Sequence, residues 1–353
     1  MGKSFWNRLK IILLLILSLA LCTSCTKAGD NTRVVFTTGF DKDELFRIED
    51  ESCRLAEIMV YLTTTQNQYE SVYGEEIWNA GLDGVTLEEN IKETVLAKIA
   101  QIKTMYLLAG DKGVILNGEE EALVEKAAQE YYQSLNETEV EMLGVSPETI
   151  RKLYRQYALA EKVYQVIIQD INPEISDDEA RTITVQHILI KTYTSDGQGN
   201  ITQYSEDSKT MAYQTAGEIR VMAVSGEYDF EELARKYSDD ANITYSFGKG
   251  EMSRAVEDVV FQLETDEISQ VIESDTGYHI IKCINTFNRE ETDVNKLKIV
   301  DQRKNAVFGQ EYDEFVSSLT RKLNENLWDE VTLIHDSRVT TSNFFDVYTE
   351  AFQ

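Results

Sequence analysis

The chain has 353 residues, with 62 acidic against 34 basic side chains and a formal net charge of −28. That acidic excess excludes nucleic acid as a partner, because phosphate backbones are bound through Lys and Arg. Three histidines and four cysteines make no zinc constellation, and Asp239-Asp240 lacks further ligands at calcium-loop spacing, so no metal or cofactor is expected.

At the N-terminus, Lys3, Arg8 and Lys10 precede an apolar run of twelve residues, Ile11 to Cys22. A helix of that length covers about 18 Å, short of a bilayer core of roughly 30 Å, so residues 1–24 read as a signal peptide rather than a membrane span. They carry three of the basic residues and no acidic ones, which leaves the remainder at −31. The run ends in Leu21-Cys22-Thr23-Ser24-Cys25, which resembles the lipobox of bacterial lipoproteins, although Cys22 stands where an aliphatic residue is usual. The resemblance implies lipidation of Cys25 and attachment to a bacterial membrane through more than one acyl chain, since a single chain binds only marginally. Ordinary signal cleavage nearby is the alternative, and either reading places the protein outside the cytoplasm. Cys53 and Cys283 then remain for the folded body, as a disulfide or, the preferred reading, as two free buried thiols.

Residues 25–175 read as an N-terminal helical, chaperone-like lobe, helical by local signals from Lys42 to Ile171. Thr86 with Glu89 forms a capping box ahead of Ile91, Val95, Ile99, Ile102 and Tyr106, which share one helical face. Asn117 with Glu120 opens a second helix, and Ser146-Pro147 a third, with Pro where its missing N–H costs nothing.

From Asn172-Pro173 the pattern changes. Ser176 and Glu179 predict a short capped turn, after which Thr182 to Ile190 alternates as a strand with Ile183, Val185, His187 and Leu189 on one side. A loop from Thr192 to Asn200 leads to helices near Asp207–Val224, Phe230–Tyr237 and Val256–Leu263, and strands follow at Ser269–Ile272 and Gly277–Ile284. The C-terminal segment, residues 289–353, returns to helix. Leu297, Val300, Val307, Phe308, Phe315 and Leu319 form a stripe, and Phe344, Phe345, Tyr348 and Phe352 an aromatic end. This segment is expected to pack back on the N-terminal lobe.

Two of the three histidines lie in matching contexts, Val185-Gln186-His187-Ile188-Leu189-Ile190 and Thr276-Gly277-Tyr278-His279-Ile280-Ile281, with Phe230-Glu231-Glu232-Leu233-Ala234 and Tyr237-Ser238-Asp239-Asp240 between them. That combination resembles the parvulin-type peptidyl-prolyl isomerases over residues 178–288. Flanking helices on an exported lipoprotein resemble the PrsA-type foldases and, more distantly, SurA-type chaperones. The resemblance implies an α+β fold in which a four-stranded antiparallel sheet with surrounding helices is inserted in a mainly helical chaperone-like lobe. It also implies site residues. His187 and His279 match the facing histidine pair, Asp240 the Cys or Asp of the cleft, and Thr276 the hydroxyl bonded to the pair. Met252, Val256, Thr244 and Phe247 fall at or beside the apolar lining of the proline pocket, and Phe261 matches a core Phe by spacing. Asn242-Ile243-Thr244-Tyr245-Ser246 replaces the family's Gly-Gly-Asp-Leu-Gly, and Val256 stands where a pocket Phe is usual. Two of three apolar walls are thereby weakened.

Prolyl isomerisation breaks no bond and needs no strong nucleophile; an apolar pocket and a polar network that favours the twisted amide suffice. The histidines also admit a reading as structural core residues. Ser246 and His279 lack the strand-to-helix elbow of a hydrolase nucleophile. Residues 192–204 hold no basic side chain, so phosphoserine-proline selectivity is not expected. The leading expectation is an isomerase and foldase acting on unfolded or partly folded exported proteins with Xaa-Pro bonds. A holdase with a weak or inactive parvulin domain is the alternative, and a solute-binding or adhesive lipoprotein is a third class that the histidine pair disfavours.

Overall fold

The computed structural model describes residues 39–82, 84–196 and 200–352. The expected signal peptide, residues 1–24, and Cys25 lie outside them. Among the described residues no helix is long and apolar enough to cross a membrane.

The start of the lobe departs from the helical expectation. β1 (Glu44–Ile48) and β2 (Glu51–Arg54) form an antiparallel hairpin, and Leu45, Phe46, Ile48 and Cys53 are buried beneath it. α1 (Leu55–Tyr73) buries Ile58, Met59, Val60, Tyr61 and Leu62 in succession. A helix covered on several sides carries no polar face, and so no 3.6-residue stripe marks it in the sequence. A short hairpin, β3 (Gly81–Leu82) and β4 (Val85–Thr86), leads into α2 (Leu87–Asp111), whose Thr86–Glu89 capping box forms as expected. α3 (Gly118–Ser134) opens on the Asn117–Glu120 box. α4 (Glu137–Leu143) adds a box, Asn136 with Glu139, that the sequence reading passed over. α5 (Pro147–Ile168) starts with Pro147 in its first turn, capped by Ser146.

In the following segment, Glu179 N–H donates to Ser176 Oγ at 3.0 Å, closing the expected turn. Then come β5 (Ile183–Lys191) and a hairpin of β6 (Tyr193–Ser195) and β7 (Ile201–Gln203) inside what reads as plain loop in the sequence. α6 (Glu206–Ser225), α7 (Phe230–Tyr237), β8 (Thr244–Phe247), α8 (Arg254–Val260), β9 (Ile272–Ser274) and β10 (Gly277–Asn285) complete it. The sheet order is β8-β5-β10-β9, antiparallel throughout. β5 and β10 are central and therefore buried on both faces. Ile188, Tyr278 and Ile280 pack under α6 and α7, while Ile183, Val185, Ile281 and Cys283 pack with Phe247, Val256 and Val260 on the other face. Cys53 and Cys283 are both buried free thiols.

The chain then runs through α9 (Arg289–Ser318), β11 (Arg321–Leu323), α10 (Glu325–Glu330) and α11 (Phe344–Phe352). β11 pairs with β1 and completes a three-stranded sheet at the base of the lobe. The aromatic end enters the lobe core, where Phe344 is fully buried and stacks on Tyr154 at 4.4 Å between ring centroids. Only the C-terminal half of the α9 stripe is covered. Phe308, Phe315 and Leu319 pack on the lobe core, whereas Leu297 and Val307 are exposed and Val300 is only half-buried outside that core. The reason is reach. α9 is a 30-residue helix that bonds Ala180 O through Asn295 at one end and rests on α5 further along, so no single core follows its whole face.

Candidate active site

The strand period sets the site. His187 lies on β5 opposite Ile281, and His279 lies on β10 opposite Leu189, so the two imidazoles share one sheet face as diagonal neighbours. Their rings stack at 5.1 Å with an interplanar angle of 14°, and His187 Nε2 meets His279 Nδ1 at 2.8 Å. Both are more than nine-tenths buried.

The turn between β9 and β10 supplies the hydroxyls. Gly277 adopts φ +139°, and a Cβ there would meet Ile190 O at 2.2 Å, so only glycine lets β10 start against the end of β5. This close turn places Ser274 Oγ 2.6 Å from His279 Nε2, while Thr276 Oγ1 stands 3.5 Å from that nitrogen and 2.9 Å from Ser274 Oγ. The expected hydroxyl, Thr276, thus acts mainly through Ser274, which the sequence reading missed. A hairpin reading of Ser274-Asp275-Thr276-Gly277 would have found it.

Asp240 comes from the segment after α7, which is pinned along β5. Leu189 N–H donates to Ser238 Oγ at 3.1 Å, Asp239 N–H to Leu189 O at 2.8 Å, and His187 N–H to Ile243 O at 2.9 Å. This brings Asp240 Oδ2 to 3.8 Å from His187 Nδ1, at the solvent side of the pair. The same oxygen accepts a 2.6 Å hydrogen bond from the hydroxyl of Tyr245, and Oδ1 accepts one from Asn242 N–H.

Charge and burial fix the protonation of this chain. Burial and then the neighbouring His187 hold His279 down to about 4, and burial also lowers His187 against the pull of Asp240. Both rings are therefore neutral at pH 7. For Asp240, partial burial works upward but is outweighed by the Tyr245 hydrogen bond, the Asn242 amide, His187 and Lys191, leaving the carboxyl below its ordinary range. A neutral His187 facing this carboxylate carries its proton on Nδ1, because a lone pair there would be repelled. Nε2 then accepts from His279 Nδ1–H, and His279 Nε2 accepts from the Ser274 hydroxyl. Ser274 Oγ in turn accepts from Thr276 N–H at 3.1 Å and from its hydroxyl. Every proton in the chain thus has one direction.

The expected pocket residues divide. Met252 is half-buried beside the Phe247–Val256 cluster. Phe247 and Val256 lie within that core, 4% and 1% exposed, with Phe247 edge-on to Phe261 at 5.9 Å. They support the site from below rather than wall an open pocket. Thr244 does not line the site: it pairs with Gln186 on the opposite sheet face, because β8 alternates and Tyr245 and Phe247 take the histidine side. Among the described residues no cluster of His, Cys, Asp and Glu could hold a metal ion.

Residues 187–285 match the family model of the PPIC-type peptidyl-prolyl isomerase, or rotamase, domain. The peptidyl-prolyl cis-trans isomerase Pin1 of Arabidopsis thaliana is 32% identical over 112 residues, which cover 28% of this chain and 92% of that protein. The chain belongs to the parvulin-type peptidyl-prolyl isomerases. Likeness to foldases extends beyond the parvulin segment. The foldase protein PrsA of Caldanaerobacter subterraneus is 25% identical over 338 residues, 91% of this chain and 98% of that one. Foldase protein PrsA 1 of Bacillus cereus is 27% identical over 177 residues, and there the match spans about half (54%) of the relative's length. Among solved structures, the Bacillus cereus PrsA isomerase covers 78% of this chain at 20% identity and a TM-score of 0.38.

Proposed function

We propose that this parvulin is an extracytoplasmic peptidyl-prolyl isomerase and foldase whose isomerase domain is residues 178–288, held to a bacterial membrane by lipid on Cys25. Its clients are unfolded or partly folded exported proteins carrying Xaa-Pro bonds. The observation that carries the reading is the directed hydrogen-bond chain from Thr276 and Ser274 through His279 to His187, whose Nδ1 faces the ionised Asp240 across 3.8 Å without a hydrogen bond.

Rotation about an amide is opposed by a barrier of about 18–20 kcal/mol because resonance moves electron density from nitrogen to oxygen. In the twisted amide the carbonyl oxygen returns part of that charge. A carboxylate beside the carbonyl therefore repels the planar form more than the twisted one, and this difference lowers the barrier. Asp240, 29% exposed, is the charged group the client meets, while the buried histidine pair fixes its surroundings without changing protonation at neutral pH. Met252 is a half-buried apolar side chain placed to meet the proline ring.

A holdase reading is favoured by one observation, the withdrawal of Phe247 and Val256 into the core. A protease-free isomerisation assay on Ala-Xaa-Pro peptides decides between the two. The foldase reading expects activity in the natural protein, a large loss in Asp240→Ala, and unchanged suppression of client aggregation by that variant. Absence of isomerisation in the natural protein leaves the holdase. Release of the protein from membranes by Cys25→Ser tests the anchor.

A further inference from the structure

We propose that Tyr245 is a positioning residue of the isomerase site, its hydroxyl fixing the Asp240 carboxylate against His187. This rests on the isomerase reading above and names a residue that the histidine pair and Asp240 do not by themselves require.

The geometry supports it in three ways. Tyr245 sits on β8 opposite Val185, one step along the ladder from His187, so the strand period aims its ring at the histidine face. The ring stands edge-on to His187 at 5.7 Å between centroids and 67° between planes. Its hydroxyl donates to Asp240 Oδ2 at 2.6 Å, the same oxygen that lies 3.8 Å from His187 Nδ1. Among the described residues, the Asp240 carboxylate otherwise accepts a hydrogen bond only from the Asn242 amide, at Oδ1 and 3.2 Å, while its backbone N–H donates to Ser238 Oγ. Without the phenol, rotation about the Asp240 side chain would be free to take Oδ2 away from the imidazole.

Burial and then the carboxylate it bonds push the Tyr245 phenol up to about 12, so it remains a donor at working pH. The groups facing Asp240 are Tyr245 from β8, His187 and Lys191 from β5, and Asn242 from its own turn. His187 is neutral above its lowered titration and Lys191 is cationic. Tyr245 is then the group whose removal most directly raises the carboxyl's titration toward its ordinary value.

Tyr245→Phe removes the hydroxyl and keeps the ring against His187. Two measurements on the full-length protein read the result. Carboxyl carbon NMR follows the titration of Asp240, and the protease-free assay follows kcat/KM against pH. The proposal expects the Asp240 midpoint to rise in the variant. It also expects kcat/KM to fall about tenfold, the change for losing a hydrogen bond to a charged group, and the acid limb of the rate profile to move to higher pH. A merely structural tyrosine would shift neither the titration nor the acid limb. An unmoved Asp240 midpoint overturns the role of Tyr245, whereas a natural protein without isomerisation overturns the isomerase reading.

Discussion

The histidine pair makes the parvulin segment acid-sensitive, and the size of the effect follows from its burial. His279 titrates at about 4 in the fold against an ordinary 6.5, because burial and the adjacent His187 disfavour its charged form. Its folded pKa is depressed, so an unfolded chain binds a proton there at mildly acidic pH that the folded chain refuses. The stability this neutral ring allows is fully present above pH 6.5 and is lost as pH falls, levelling off below about 4. Linkage puts the loss from this one group at about 2 kcal/mol by pH 5 and about 3 kcal/mol by pH 4. Urea titrations of the full chain, followed by NMR signals of the buried β5 and β10 residues Ile188, Ile280 and Ile281, measure it at pH 7.5 and pH 5. His279→Gln removes the titrating ring, so the carboxylate contributions common to both proteins cancel in their difference. His187 is lowered in the same direction and contributes to the acid sensitivity of both. If natural protein and variant lost stability in parallel between pH 7.5 and pH 5, the buried, neutral imidazole would be the wrong description of His279.

Further substitutions test the core and the lobe. Val256→Phe adds volume at a side chain 1% exposed within the Phe247–Val260 cluster, so it should cost about 1–3 kcal/mol without raising isomerase activity; a gain in kcat/KM would restore Val256 to the pocket wall. Lys103 is fully buried and pairs with Glu51 at 2.9 Å and Glu57 at 2.6 Å, beside Gln156 at 3.1 Å. Lys103→Met strands these carboxylates with the half-exposed Lys152, and chemical denaturation of the lobe should show a loss of about 3–5 kcal/mol. Phe344→Ala removes the ring stacked on Tyr154 and should cost the lobe about 3–5 kcal/mol in the same measurement, a small change there refuting the docking of the C-terminal aromatics as a main support.

Features set by neighbours along the chain are legible in the sequence. Thr86 with Glu89, Asn117 with Glu120 and Ser146-Pro147 cap helices through contacts three residues long, and each cap formed where it was read. Alternation through Ile183, Val185, His187 and Leu189 put one histidine on a defined face, and the matching context of His279 gave the other. Features that depend on partners distant in sequence emerge only once the chain has folded. β1 pairs on one side with its hairpin partner β2 and on the other with β11, some 270 residues later, and no local pattern reports the second pairing. Leu297 looks like core on a helical wheel and is exposed because the lobe covers only the far end of α9, and Val307 beside the packed Phe308 stays exposed because it turns to the other side of the helix. Thr244 lies on the face away from the histidines because β8 is a strand whose alternation no local pattern in residues 242–246 reports, and a one-residue step in a period of two reverses every side chain. Ser274 and Tyr245 became part of the site through a turn closed on Gly277 and a strand laid beside β5, so their distances to His279 and Asp240 exist only once the sheet has formed.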